Sequence, residues 1–386
     1  MYYGMIDVGD WQACVDLETG QPPAGGGRPR QAAVMAALAH NLRYPGDGLA
    51  ALAWQQEAAQ TLIRDFSPQW LMLAYTQPLF CEREEGDAAA DPAGVRDKIL
   101  GDIHELCRLG GYEPVIVLTG GSVPLIEEVR SFDTVGLLES MPWGGSLAGL
   151  SGAEPEDRAV LCAHPAVAQV VSREDILAAH PQAEDNFRAY LADYAIAAKP
   201  GYSFRGLNSH MVGRKLFTDV CESTVPVRCA LGQPQHLREL YGLQRQALLA
   251  GRRVLLAVVE GFRLDDPLPA GFTPCANRTE WYDYRGLCQY LLLTTGHEFF
   301  ETPYPPVYDR TKRVGGSGRW PYSGFFEEPP RDALGALPGL STACVSSRSM
   351  IVHMASYAQV ALECYSRDRV TMGTLAAFRD NGEERA

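Results

Sequence analysis

Three short stretches of this chain carry side chains able to do chemistry. Asp7 and Asp10 flank a glycine at the end of an opening apolar strand. Carboxylates there can hold a divalent cation, because strand ends project several oxygens into one crevice. The alternative is that Asp10 caps a turn and Asp7 accepts backbone N–H bonds. Thr119-Gly120-Gly121-Ser122 closes a second apolar run, Val115-Ile-Val-Leu118. Successive N–H groups at such a turn attract anions, so Gly120, Gly121 and Ser122 are candidates to bind substrate and Thr119 is a candidate catalytic hydroxyl. The bland reading is a tight turn feeding a helix from Leu125. His210 lies in a polar loop, Gly206-Leu-Asn-Ser-His-Met-Val-Gly213, where an imidazole can ligate a metal or move a proton.

Other candidates are weaker. His297-Glu-Phe-Phe-Glu301 superficially matches HExxH, but its second His is Glu and Gly296 stops the preceding helix, which favours a structural role. Arg310, Lys312, Arg313 and Arg319 cluster in a loop with Tyr304, Tyr308, Trp320 and Tyr322. Such a loop can close over an anionic, ring-bearing ligand, with Arg313 gripping the anion, or can simply be exposed. His104 points away from the apolar stripe of its helix and reads as a solvated side chain. No GxSxG elbow and no Walker GK[ST] occurs.

The elements that must position these groups follow an α/β rhythm. Tyr2–Val8 reads as a strand with a hairpin partner at Ala13–Leu17, and Gly20–Pro29 as a loop. Helical patterns cover Arg30–Leu42 and Leu49–Phe66. Trp70-Leu-Met-Leu-Ala-Tyr75 is a strand. Val95, Ile99, Ile103 and Leu106 define one face of a helix over Val95–Leu109, with Arg96, Asp97, Asp102 and Glu105 elsewhere. Beyond Ser122 the pattern predicts a helix at Leu125–Arg130, a strand at Phe132–Leu138 and a loop over Pro142–Pro155. Val167–Ser172 is a strand that leads into a helix start at Ser172-Arg-Glu-Asp175. A helical stripe runs through Phe187, Tyr190, Leu191 and Tyr194. His236–Ala250 and Tyr284–Thr295 are helices, Val254–Glu260 is a strong strand, and Ser347–Cys364 is an amphipathic helix. The sum is an α/β fold with a mainly parallel central sheet flanked by helices and a less regular C-terminal part. Residues 1–232 read as an α/β core domain. Residues 233–386, with a Pro/Gly-rich loop at 301–338, form a segment that can complete the same domain.

Composition narrows the function classes. With 34 Lys and Arg against 47 Asp and Glu, the net charge is −13, which argues against nucleic acid, since phosphate-backbone binding needs clustered cations. Ten cysteines without a CxxC read as reduced, mostly buried thiols. The apolar runs are too short to span a membrane, and the opening residues carry no signal-like segment, which predicts a cytoplasmic protein. A small anionic molecule is the expected partner, and self-association is compatible with everything above.

The stretch from Trp70 to Gly213, with Val115–Ser122, Tyr194-Ala-Ile-Ala, Pro200-Gly-Tyr-Ser-Phe204 and His210, resembles the alkaline phosphatase superfamily in its phosphodiesterase/nucleotide pyrophosphatase branch. Arg253-Val-Leu-Leu-Ala-Val-Val-Glu-Gly-Phe-Arg263 also resembles the opening strand of that family, in the other half of the chain. The resemblance implies a divalent metal site, with His210 and Asp7 fitting its ligand pattern here beside Asp10 from the strand-end reading above, and hydrolysis or transfer of a phosphate ester. Leu79 stands where that family has its first Asp, and Gly120-Gly121 near its Asp-His pair. Separately, Gly4-Met-Ile-Asp-Val-Gly9 with Val15-Asp-Leu-Glu-Thr-Gly20, and Val115–Ser122, resemble the first phosphate hairpin and the adenosine motif of actin-like ATPases. The expectation is an enzyme or degenerate enzyme acting on an anionic small molecule such as a phosphate ester. An actin-like ATPase and a non-catalytic scaffold are the alternatives.

Overall fold

The computed structural model describes residues 3–8, 11–16, 38, 41–42, 44–45, 49–78, 91–129, 146–204, 217–219, 223–277, 286–301, 334–337, 339–347, 360–365 and 372–378. Its centre is a run of four parallel strands, β4 (Glu113–Thr119), β13 (Val254–Glu260), β3 (Trp70–Tyr75) and β15 (Thr342–Ser346), adjacent in that order. β12 (Thr224–Cys229) and β14 (Thr273–Ala276) extend the sheet antiparallel beyond β4. On the other flank come β17 (Met372–Phe378), β16 (Val360–Tyr365), β1 (Tyr3–Val8) and β2 (Trp11–Asp16), completing a ten-stranded sheet. Only β12, β17 and β2 run against the other strands. The α/β class with a parallel centre is therefore as the sequence predicts, with antiparallel wings added. The β1–β2 hairpin forms as expected, with Tyr3 opposite Asp16.

Continuous apolar runs make the central strands. Every residue of β3 and β13 is buried, as expected of parallel strands covered on both faces. Alternation sorts their side chains. Leu71, Leu73, Tyr75, Ile116, Leu118, Leu255, Ala257 and Val259 face helices α1 (Ala50–Phe66) and α2 (Pro92–Gly110). Trp70, Met72, Val115, Val117, Leu256 and Val258 face α6 (Leu237–Leu249) and α7 (Gly286–Thr295). α2 is well delimited: the Asp91 carboxylate accepts from Ala93 N and Gly94 N, Pro92 opens the helix, and Gly111 at φ +66° closes it. At the amino edge, Tyr112 OH donates to Pro68 O at 2.6 Å, while Arg253 lies over the Tyr112 ring, pinning α2 and β13 to the start of β3.

Between β4 and β12 the chain leaves the carboxyl edge of the sheet and returns to it. β5 (Ser122–Pro124) and β11 (Phe217–Asp219) pair antiparallel as the stem of this insertion. Above them stand a two-stranded pair, β6 (Glu127–Val129) with β10 (Tyr202–Phe204), and a three-stranded sheet of β7 (Leu147–Leu150), β9 (Tyr194–Ala198) and β8 (Val167–Ser172). Helices α3 (Asp157–Ala163), α4 (Arg173–Ala179) and α5 (Asp185–Tyr190) complete it. The insertion has its own core around Leu150, Leu161, Ile196 and Phe204. Phe300, just beyond α7, stacks on His180 at 4.0 Å between ring centres and ties the insertion back to the main body.

Several local expectations are corrected. Leu125–Arg130 is not a helix: Glu127–Val129 pairs in parallel with Tyr202–Phe204, a tertiary ladder that overrides weak helical propensity. Leu147–Leu150, expected to be loop, is a buried strand in register with β9. Tyr194 opens β9 instead of continuing the helix that ends at Tyr190. Val360–Cys364 belongs to β16, held between β17 and β1, so the amphipathic helix expected from Ser347 does not extend through it. The segments at 20–29, 132–138 and 302–333 lie outside the described residues, as does most of 30–42.

Because β13 is sealed on both faces, Leu256→Ala is expected to cost about 2–5 kcal/mol in urea unfolding. Leu249→Ala, on an exposed side chain, should stay within about 0.5 kcal/mol. Equal losses at both positions would contradict this packing.

Candidate functional site

The carboxyl ends of β3, β13, β4 and β15 meet on one edge, under the insertion. This is where ligands bind in open parallel sheets. The residues there are mostly uncharged hydrogen-bonding side chains. After β3, Thr76 Oγ1 lies 2.9 Å from Ser347 Oγ at the end of β15, and Gln77 Nε2 donates to Gln55 Oε1 at 3.4 Å. Gln55 in turn donates to Ala74 O at 2.7 Å. Gln77 Oε1 is buried and has no hydrogen-bond partner among the described residues.

On the α6/α7 face, Thr119 and Glu260 are register neighbours at the last step of the β4–β13 ladder. Thr119 Oγ1 donates to Gln289 Oε1, and Gln289 Nε2 donates to Asn277 Oδ1 at 3.3 Å. Tyr290 OH donates to Glu260 Oε1 at 2.7 Å. Glu260 is thus a carboxylate buried at the end of the most enclosed strand, held by a phenol from α7. On the α1/α2 face, Arg96 lies over the Phe262 ring at 5.5 Å and pairs with Asp266.

The glycine turn has a structural cause. Gly120 adopts φ +71°, and a Cβ there would sit 3.1 Å from Gly261 N. β4 and β13 cross closely at this point: Gly261 N and Phe262 N both donate to Thr119 O, at 2.8 and 3.2 Å, and Ser122 N donates to Phe262 O at 3.3 Å. The Ser122 amide is therefore used by the protein and does not face an anion. The chain continues into β5, not a helix, so no helix N-terminus backs the turn. Thr119 is buried with its hydroxyl proton committed to Gln289, an arrangement that positions α7 and does not present a nucleophile.

The other sequence candidates separate. Asp7 lies on β1, six strands from β4, or roughly 29 Å along the sheet at the usual inter-strand spacing. It therefore does not meet Thr119 in one crevice, because the opening hairpin docks on β16 at the flank. Asp10, His210 and Arg313 lie outside the described residues. His104 is exposed, as expected. Glu301 sits in the 3₁₀ turn Phe299–Glu301 and pairs with Arg238 at 2.6 Å, which gives His297–Glu301 the structural role its sequence favoured.

The donors present bear on the divalent metal site that the phosphatase resemblance implies. β3 ends in Thr76-Gln77-Pro78 and β4 in Thr119-Gly120-Gly121, which supply hydroxyl, amide and backbone oxygen, while Leu79, where that family has its first Asp, lies outside the described residues. Among the described residues no group of three or more His, Cys, Asp or Glu is arranged to hold a metal ion. These strand ends do not fit that centre. Compared with known proteins, the chain matches no family model, no curated protein and no solved structure.

Sequence reasoning missed Glu260, Tyr290, Gln289 and Arg96. Glu260 was visible as the one charge ending an unbroken apolar strand. Arg96 was visible through its spacing of three, seven and eleven to Ile99, Ile103 and Cys107, which puts it on the buried face of α2 and not apart from it.

Gly120→Ala is expected to lower stability by about 1–2 kcal/mol, the cost of a left-handed conformation for a residue with a Cβ. An unchanged urea midpoint would show that the β4–β13 crossing is looser than this. A second expectation concerns pH. Burial pushes the thiols of Cys107 and Cys275 up to about 12 and about 11, and raises the Tyr75 phenol as well. Each of these groups stays protonated in the folded state at pH values where the unfolded chain ionises. Their contribution is thus fully present below about pH 9, the ordinary thiol value, and is lost as pH rises through 11 and 12. Urea midpoints should fall steadily from pH 9 upward, and a flat profile would contradict the burial of these groups.

Proposed function

We propose that this protein binds an anionic small molecule of the phosphate-ester class at the carboxyl ends of β13 and β4, as an enzyme or the descendant of one. The observation that carries the reading is that β13 and β4 end beneath the insertion with Glu260 and Thr119 on the α6/α7 face and with Arg96, held by Phe262 and Asp266 just past β13, on the α1/α2 face. Three physical features support it. The carboxyl edge of parallel strands is the common ligand end of such sheets. Arg96 and Arg263 bring cationic side chains to that edge of an otherwise acidic protein. Glu260 supplies a buried carboxylate able to accept a proton or a ligand hydroxyl, with Tyr290 orienting it.

The residues at the edge bind, orient and exclude water, and Glu260 is the group placed to handle a proton. Among the described residues no helix is long and apolar enough to cross a membrane, and the described cysteines are free thiols. The free thiols suit a reducing compartment such as the cytoplasm, where we place the protein.

The test is calorimetric titration of the purified chain with phenyl phosphate and with nucleoside monophosphates, alongside hydrolysis of p-nitrophenyl phosphate with and without EDTA. Saturable binding at one site per chain is expected, weakening as salt screens the arginines and insensitive to EDTA. Glu260→Gln, which keeps an acceptor for Tyr290, should preserve the fold and cut any turnover by tenfold or more. Absence of saturable binding by every phosphate ester would overturn the reading.

A further inference from the structure

Arg96 is held in an unusual way. Its side chain is 9% exposed, its Nη1 pairs with Asp266, and its guanidinium lies over Phe262. Its Nε is buried and has no hydrogen-bond partner among the described residues. A guanidinium presents five N–H bonds in a rigid plane. Nη1 is the nitrogen next to Cδ, so Asp266 uses one outer corner. The fork formed by Nε–H and the neighbouring Nη2–H remains whole, and this fork matches two oxygens of a phosphate or carboxylate.

A half-buried guanidinium makes the contrast. Arg253 also has a buried Nε without a partner among the described residues, and it stacks on Tyr112 at 4.7 Å. Its Nη2, however, donates to Pro68 O at 3.0 Å and Tyr112 OH at 2.9 Å, so its fork is spent on the protein at the amino edge of the sheet. Arg96 stands at the carboxyl edge, where Phe262 and Asp266 follow directly on β13. Its fork is not spent. Aromatic and carboxylate neighbours fix the plane of the guanidinium, which lowers the entropy lost when a ligand is gripped.

We propose that Arg96 is the anion-binding residue of this site, taking two oxygens of a phosphate group through its Nε/Nη2 fork while Asp266 and Phe262 hold the guanidinium in place. The assignment rests on the phosphate-ester reading above and names the group that recognises the anion. Asp266 is a positioning residue and also an electrostatic competitor of the ligand, because its charge partly neutralises Arg96.

Two variants test it, with inorganic phosphate, phenyl phosphate and benzoate as probes in calorimetric titrations of the full chain. Arg96→Lys keeps a cation for Asp266 but replaces the planar fork with a point charge. It should weaken phenyl phosphate binding at least tenfold while far-ultraviolet circular dichroism stays unchanged. Asp266→Asn keeps an acceptor at Nη1 and removes the competing charge, and should tighten phenyl phosphate at least threefold. Wild-type protein should prefer phenyl phosphate to benzoate. Binding within twofold of wild type in Arg96→Lys, or no tightening in Asp266→Asn, would overturn the role of Arg96 and leave the phosphate-ester reading standing. Benzoate bound as tightly as phenyl phosphate would overturn the choice of phosphate. If no probe binds wild-type protein, both fall together.

Discussion

Burial of β13 on both faces and both edges is the constraint from which the rest follows. From Val254 to Glu260 every residue is enclosed, with β3 paired along one side and β4 along the other. Backbone groups sealed this way must all find partners within the sheet, so the flanking strands are held in fixed register. Thr119 therefore stands beside Glu260, and the chain after β13 must cross the chain after β4 at close range. Gly120 and Gly261 permit that crossing. The first charge of the strand then appears at the point where it leaves the core.

That geometry explains why the glycine corner is a poor anion cradle and still lies at the proposed site. Its amide at Ser122 is consumed by Phe262, yet the same crossing carries Phe262 and Asp266 to Arg96 on α2. On the opposite face the register brings Thr119 and Glu260 against Gln289 and Tyr290 of α7. Polar side chains from both helical layers thus gather where the parallel strands end, Arg96 and Asp266 on one face and Glu260 and Tyr290 on the other. The insertion between β4 and β12, anchored by its β5–β11 stem and by His180 on Phe300, rises from the same edge.

Much of the central architecture was legible in the sequence. The runs at Trp70–Tyr75, Val115–Leu118 and Val254–Glu260 are apolar without alternation, which only doubly covered strands or buried helices tolerate, and Gly and Pro bound them. The helix through Val95, Ile99 and Ile103 was equally plain. What failed were short segments whose state is set by partners far along the chain. Glu127–Val129 and Val360–Cys364 carry no strong preference of their own and take the strand state from Tyr202–Phe204, β17 and β1. The site was less legible still. Asp7 at the end of an apolar strand looks like a ligand in any α/β chain, and strand order alone puts it at the flank, which no local pattern encodes. Arg96 was discounted because a charged residue next to a hydrophobic stripe usually faces water, whereas here Asp266, 170 residues away, compensates its burial.

The central claim is that one ligand end exists, where β13 and β4 emerge beside Arg96. Amide hydrogen exchange of the full chain, followed by mass spectrometry with and without saturating phenyl phosphate, tests it most directly. The account predicts slowed exchange in peptides covering 92–97, 119–122 and 260–266, with peptides covering 3–16 unchanged. Slowing confined to the opening hairpin, with the β13 end unaffected, would contradict it.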